Sequence, residues 1–267
     1  MGVALAACAG APPAPPPLSV ALVQQRGDIV SGRVQLRVTN TSDAAVTVTS
    51  AVLRSPLLAA TGGGDTKRPE TLQPGRTIDL PVALPDSRCD PEAADAAPEA
   101  VLDVSDDRGT LEQTVAVDDA LGVLPRLSAT RCDREALASV ARVSATAVSV
   151  SGDGTAALLL SIEPTPDATA GSVELVSLRG TPLLRFPQGT EAPLGLTVAG
   201  GDAPTTIAVP VTPIRCDAHA IAEDKVGTLF DLVARVDGRD VVVPLDRPQA
   251  VADALLAFTA SVCGLTP

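Results

Sequence analysis

Leu232-Val-Ala-Arg-Val236, then Asp237-Gly238, then Arg239-Asp-Val-Val-Val243 is the stretch that decides the fold class. Two short valine-rich runs flank an Asp-Gly pair. A type I′ turn needs positive φ at both central residues, and Asp-Gly supplies it readily, so a β-hairpin is expected here. The same pattern recurs outward along the chain. Val101–Val104 and Thr110–Val117 flank Asp106-Asp107-Arg108-Gly109. In Val34-Gln-Leu-Arg-Val38, Val34, Leu36 and Val38 share one face, with Gln35 and Arg37 on the other, which is the period of a half-buried strand. Leu18–Gln25, Val46–Thr49 and Arg76–Leu84 also read as strands, with Asn40-Thr41-Ser42-Asp43 as a turn cluster and Pro81 marking an edge or bulge. Ala156–Ile162 is almost continuously apolar and suits a central strand. Gln249–Val262 departs from this pattern. Val251, Leu255, Phe258 and Val262 fall at helical spacing, so a short helix closes the second half. Its first-half counterpart is expected to be a broken version, interrupted by Gly122 and Pro125.

The chain repeats itself. Ser19–Asp28 aligns with Ser144–Asp153, and Leu53-Arg-Ser-Pro-Leu-Leu58 with Leu178-Arg-Gly-Thr-Pro-Leu-Leu184, one residue longer. Leu80–Leu84 followed by Arg88-Cys89-Asp90 aligns with Ala208–Thr212 followed by Arg215-Cys216-Asp217. Asp119-Ala120-Leu121 and Cys132 are matched to Asp253-Ala254-Leu255 and Cys263. Several landmarks in one order indicate two homologous domains, 18–133 and 134–267, each carrying half of the formal net charge of −12. Four of the five cysteines fall two to a repeat. Four cysteines allow three pairings, and only Cys89 with Cys132 and Cys216 with Cys263 keeps each bridge inside its own repeat. Such bridges imply an oxidising compartment; free buried thiols in a cytosolic protein are the alternative.

About seven short strands per repeat, punctuated by turns, form the pattern of an immunoglobulin-like β-sandwich. In that respect the chain resembles bacterial Ig-like domains. The core Trp of antibody domains is absent and the cysteines are placed differently, so the resemblance implies the sandwich and not antibody topology. The expected fold class is therefore all-β, with two tandem Ig-like antiparallel β-sandwich domains, each closed by a short C-terminal helix. A β-barrel of similar strand count is the alternative.

The fifth cysteine, Cys8, stands in Leu5-Ala6-Ala7-Cys8, which resembles the lipobox of bacterial lipoproteins. The resemblance implies cleavage before Cys8 and lipidation of it, and so an anchor on the outer face of the cytoplasmic membrane. Residues 9–17 are Ala, Gly and Pro throughout and suit a tether, spanning roughly 28 Å at ~3.1 Å per residue if extended as polyproline. Only seven residues precede Cys8 and none is basic, so the leader is expected to begin upstream or to be truncated here. Residues 1–17 are read as signal remnant and tether. Arginine outnumbers lysine 18 to 2, a composition that resembles proteins of GC-rich actinobacterial genomes.

The chemistry a chain of 267 residues could carry is narrowed by what it lacks. Its acidity and its three Phe, with no Trp or Tyr, exclude nucleic-acid binding and disfavour carbohydrate platforms. No G-x-S-x-G or P-loop occurs, and Thr61-Gly-Gly-Gly-Asp-Thr-Lys67 reads as a mobile loop between strands. The lone His219 has Glu223 four residues on, but two ligands do not make a metal site, and the first repeat has Glu92 instead. Arg26-Gly27-Asp28 is similar to an integrin-binding tripeptide, yet its repeat is Ser151-Gly152-Asp153, which points to turn chemistry. Asp106 and Asp107 lack the spacing of a calcium loop. The Arg-Cys-Asp loops leave Arg88, Asp90, Arg215 and Asp217 as a candidate binding loop, against a purely local role in capping and ion pairing. No catalytic residue, metal ligand or cofactor is expected. The reading is a non-enzymatic envelope lipoprotein for binding or scaffolding, whose expected partners are the membrane, through its lipid, and another envelope protein. A metal-dependent extracytoplasmic enzyme or its accessory subunit, and a passive spacer, are the alternatives.

Overall fold

The apolar faces expected from the sequence pack into two cores, with Val262 an exception at 43% exposure. The structure is a computed structural model that describes residues 15–90, 97–152, 154–167, 169–218, 221 and 227–265. The chain forms two units, the first ending at Ala129 and the second beginning at Thr130.

In unit 1 the strands are β1 (Leu18–Val23), β2 (Arg33–Asn40), β3 (Val46–Arg54), β4 (Gly62–Leu72), β5 (Thr77–Ala83), β6 (Glu99–Asp106) and β7 (Gly109–Asp118), with a short helix α1 (Arg26–Ser31) after β1. Their order is β4-β3-β6-β7-β1-β2-β5. Strands β2 and β3 are consecutive in sequence but do not pair, and β5 returns beside β2, which is Greek-key connectivity. The four strands β4-β3-β6-β7 and the three strands β1-β2-β5 are joined where β1 pairs in parallel with β7, at Val20–Val117 and Ala21–Asp118. Val34, Leu36 and Val38 are wholly buried, as are Val46, Val48, Ala51 and Leu53 on β3. The period-two pattern thus puts one face of each strand in the core.

Unit 2 repeats the scheme with β8 (Ala141–Val150), β9 (Ala156–Pro164), β10 (Ser172–Arg179), β11 (Leu184–Arg185), β12 (Glu191–Ala199), β13 (Thr205–Pro213), β14 (Asp231–Val236) and β15 (Arg239–Pro244). Its sheets run β12-β10-β14-β15 and β11-β13-β9-β8. Here too the first strand meets the chain just after the last one in parallel, at the Ser144–Asp246 bridge. Each unit is an Ig-like antiparallel β-sandwich. The apolar run of β9 lies between β8 and β13, so it is central. Pro81 sits on the edge strand β5, and Pro210 on β13 beyond its two-residue pairing with β11, where a missing N–H costs no ladder bond. The β14–β15 hairpin turns at Asp237 (φ 49°) and Gly238 (φ 77°), the positive pair that Asp-Gly was expected to provide.

Three expectations are corrected. The Gly-rich stretch after Thr61 is the start of strand β4, paired with β3, and not a loop. A Cβ on Gly62 would lie 3.1 Å from Val82 and 3.3 Å from the Ala83 carbonyl, so close backbone approach accounts for that glycine. The second correction is α2 (Val123–Ala138), an unbroken helix of 16 residues through which the division between units passes. Gly122, at φ 57°, lies just before it, and Pro125 falls in its first turn, where no intrahelical N–H is needed. Asp119 caps it, accepting the Val123 and Leu124 N–H groups at 2.7 and 2.9 Å. The third concerns the match of Leu121 to Leu255. Leu121 is 77% exposed, whereas Leu255 is wholly buried in α3 (Gln249–Val262) beside Val251 and Phe258, so the two are not equivalent.

Candidate functional site

Arg88 and Asp90 lie in the segment after β5, and both are exposed. That segment is tied to the one between β3 and β4. The Arg88 N–H donates to the Leu57 carbonyl (2.8 Å), the Ala59 N–H donates to the Asp86 carbonyl (2.8 Å), and Leu58 bridges Ser87. Between the two segments lies an open cleft of about 510 Å³, lined by Arg54, Ser55, Leu58, Thr61, Arg88 and Glu99, among others. Two guanidinium groups, two hydroxyls and one carboxylate therefore share one concavity on a backbone fixed by hydrogen bonds. Among the described residues the side chains of Arg54, Arg88 and Glu99 make no hydrogen bond or ion pair, although Arg54 and Glu99 are cross-strand neighbours.

The second repeat handles the same sequence differently. Arg215 pairs with Asp217 at 3.8 Å, and both side chains are more than half exposed. Arg179, the counterpart of Arg54, lies 3.9 Å from Glu191. The recurring Arg-Cys-Asp triplet also hides a one-residue offset. In unit 1 Arg88 donates to Leu57, but in unit 2 the N–H that donates to Leu183, the counterpart of Leu57, is that of Ile214 (2.8 Å). Arg88 thus occupies the ladder position of Ile214, not of Arg215. Sequence reasoning singled out Arg88 and missed Arg54 and Glu99, whose contribution depends on the β3–β6 register.

The other motifs resolve into structural roles. Asp28 is buried, accepting the Gln25 N–H at 2.9 Å and the Gln35 amide at 2.7 Å. A carboxylate spent this way cannot be offered to an integrin, so Arg26-Gly27-Asp28 serves the β1–α1 corner. Asp106 is held by the Arg108 guanidinium and backbone N–H across the β6–β7 turn, and those bonds keep its carboxyl below the usual carboxylate range. Asp133, in the third Arg-Cys-Asp triplet, accepts from Arg239 at 2.6 Å. Cys216 and Cys263 form a disulfide, Cα–Cα 5.1 Å, and Cys89 and Cys132 are disulfide-bonded as well. Cys8, His219, Glu223, Glu92 and Asp153 lie outside the described residues. Among the described residues no three His, Cys, Asp or Glu side chains gather as a metal set, and no helix is long and apolar enough to cross a membrane.

The geometry defines a two-unit Ig-like β-sandwich chain with a cleft in unit 1 lined by Arg54 and Arg88. No family model and no curated protein matches it. Solved structures that it resembles include the CsuC–CsuE chaperone–tip adhesion subunit complex of Acinetobacter baumannii pili. That match has 10% identity, covers 81% of this chain and 92% of that one, and gives a TM-score of 0.21. The YadV chaperone matches at 13% identity over 84% and 96%, with a TM-score of 0.24. Invasin, a bacterial integrin-binding protein, matches at 13% identity over 87% and 40%, with a TM-score of 0.21. At these values the likenesses identify no family, and the functional reading rests on the chain's own residues.

Proposed function

We propose that this chain is a non-enzymatic lipoprotein of a bacterial cell envelope. Cys8 holds it to the outer face of the cytoplasmic membrane, and its tandem Ig-like units serve binding or scaffolding outside that membrane. One observation carries the reading. Cys89, Cys132, Cys216 and Cys263 are all disulfide-bonded, which suits an oxidising compartment. That leaves as the odd thiol the one cysteine preceded by Leu5-Ala6-Ala7, with a Pro-rich spacer following it.

The test is an intact mass of the protein, expressed from its natural start in a bacterial host of the kind its composition suggests, after alkylation of free thiols. A lipid adduct on Cys8 with no alkylation elsewhere is expected. An unlipidated chain whose other four cysteines alkylate overturns both the location and the anchor.

A further inference from the structure

We propose that the unit 1 cleft between Arg54 and Arg88 is a binding site for a carboxylate whose own molecule also carries a cationic or hydrogen-bond-donating group, such as the free α-amino acid end of a small peptide. The inference rests on the binding reading above and names the chemistry of its ligand.

The donors come first. The guanidinium fork matches a carboxylate in two parallel hydrogen bonds, and the cleft presents two such forks that have no side-chain partner among the described residues. The Ser55 hydroxyl accepts from the Leu57 N–H at 3.2 Å, which leaves its own proton to donate. The Thr61 hydroxyl is on the exposed lining. Against these donors stands one acceptor, the Glu99 carboxylate. Two positive charges and one negative line the cleft, in a chain of net charge −12. That balance suits a monoanionic carboxylate better than a phosphate dianion, which Glu99 would repel. It also gives an amine or hydroxyl on the ligand something to donate to.

The second repeat shows that the cleft is not a by-product of the fold. There the inserted Thr181 fills the corresponding corner, its hydroxyl donating to the Gly227 carbonyl at 2.5 Å and its N–H to the Leu184 carbonyl at 2.8 Å. Gly180 replaces Ser55, and a Cβ there would lie 2.7 Å from the Leu184 carbonyl, so no side chain fits. Arg179 lies 3.9 Å from Glu191, its cross-strand neighbour on β12. Ile214 takes the backbone position of Arg88. Thr181 closes this corner in unit 2, whereas unit 1 keeps it open, with no side-chain partner for Arg54 or Arg88 among the described residues. Unit 2 is therefore a control within the same molecule.

The experiment is a ¹⁵N NMR titration of the full chain with alanyl-alanine carrying free termini, with its N-acetylated and C-amidated form, and with inorganic phosphate. Saturable shifts are expected at the Arg54 and Arg88 Nε–H groups and at the Ser55 and Glu99 amides, with none at Arg179 or Arg215. The blocked dipeptide should be silent and phosphate weaker than the free dipeptide. R54Q and R88Q, both at exposed positions, should each weaken binding about tenfold or more. E99Q should remove the preference over phosphate. Absence of saturable shifts, equal shifts at Arg179 and Arg215, or unaltered binding by R54Q and R88Q would overturn the site. A phosphate response stronger than the dipeptide response would overturn the assigned ligand. None of these outcomes depends on where the protein resides, so failure here is separable from failure of the lipid test.

Discussion

Asn40 closes β2 with a wholly buried side chain, and its replacement by alanine tests how the turn after that strand is held. Its Nδ2 donates to the carbonyls of Ala44 (2.8 Å) and Leu72 (2.9 Å), and its Oδ1 accepts from the N–H (2.9 Å) and hydroxyl (2.6 Å) of Ser42. The bonds to Ala44 and Ser42 lie partly in reach of water, so losing them costs well under their gross strength. The bond to Leu72 is buried, and its carbonyl would lose that donor. A net of ~1 kcal/mol for each accessible group, plus ~1 kcal/mol or more for the buried acceptor, gives about 3 kcal/mol. Thr41 is the comparison, since its hydroxyl bond to the Pro17 carbonyl (2.9 Å) is exposed and Thr41→Ala should cost less than about 1 kcal/mol. Urea unfolding followed by far-ultraviolet circular dichroism reads both. With a slope of ~1.5 kcal/mol/M, Asn40→Ala should lower the midpoint of the unit 1 transition by about 2 M. Phe186, Phe230 and Phe258 all belong to unit 2, and the chain has no Trp or Tyr, so the near-ultraviolet phenylalanine band marks which transition is which. If Asn40→Ala and Thr41→Ala shift the midpoint equally, the account of this turn is wrong.

Three further outcomes are expected. Replacing Cys216 and Cys263 together by serine frees a loop of 47 residues and should lower unit 2 stability by about 4 kcal/mol in the loop-entropy account; an unmoved phenylalanine-band transition would contradict it. Gly200→Ala would set a Cβ 2.3 Å from the Asp167 carbonyl, forcing backbone to shift. A loss of about 2 kcal/mol or more in unit 2 is expected, and a neutral substitution in the same urea assay would refute the contact. The Arg37 guanidinium, hydrogen-bonded to Asp79 at 2.8 Å, holds that carboxyl below its ordinary range, against partial burial that pushes it up. A depressed native value contributes stability above the unfolded value and loses it as pH falls. Asp79→Asn should therefore be modestly less stable than wild type at neutral pH, with the gap closing below about pH 4; a gap that widens on acidification would reverse the assignment.

What the sequence made legible was whatever depends on local periodicity. The hairpin at Asp237-Gly238, the alternation of Val34, Leu36 and Val38, and the α3 face of Val251, Leu255 and Phe258 each follow from neighbours a few residues away. The misreadings have one cause in common. Gly62 reads locally as loop, and Gly122 and Pro125 as helix breakers, because their tolerance depends on position: close approach of Val82 in the first case, the start of a helix in the others. The cleft was half visible. Arg88 recurred in a motif, but nothing local pairs Arg54 with Glu99 or shows that Arg88 and Ile214 hold the same ladder position. Those facts belong to register, which only the folded chain displays.

The parallel contact between the first and last strands of unit 1 has a mechanical consequence. Strand β1 opens the unit and β7 ends it, so tension applied between Leu18 and Asp118 draws the two strands in opposite directions along their shared axis. The hydrogen bonds around Val20–Val117 and Ala21–Asp118 are then loaded together in shear, whereas an antiparallel pair pulled from its free ends opens one bond at a time. Unit 2 has only the single Ser144–Asp246 bridge, with its bond from the Ala145 N–H to the Asp246 carbonyl, at that place. The Asp246 side of that bridge lies inside the loop closed by Cys216–Cys263, so a pull on the chain beyond Cys263 passes through the disulfide and leaves the bridge unloaded.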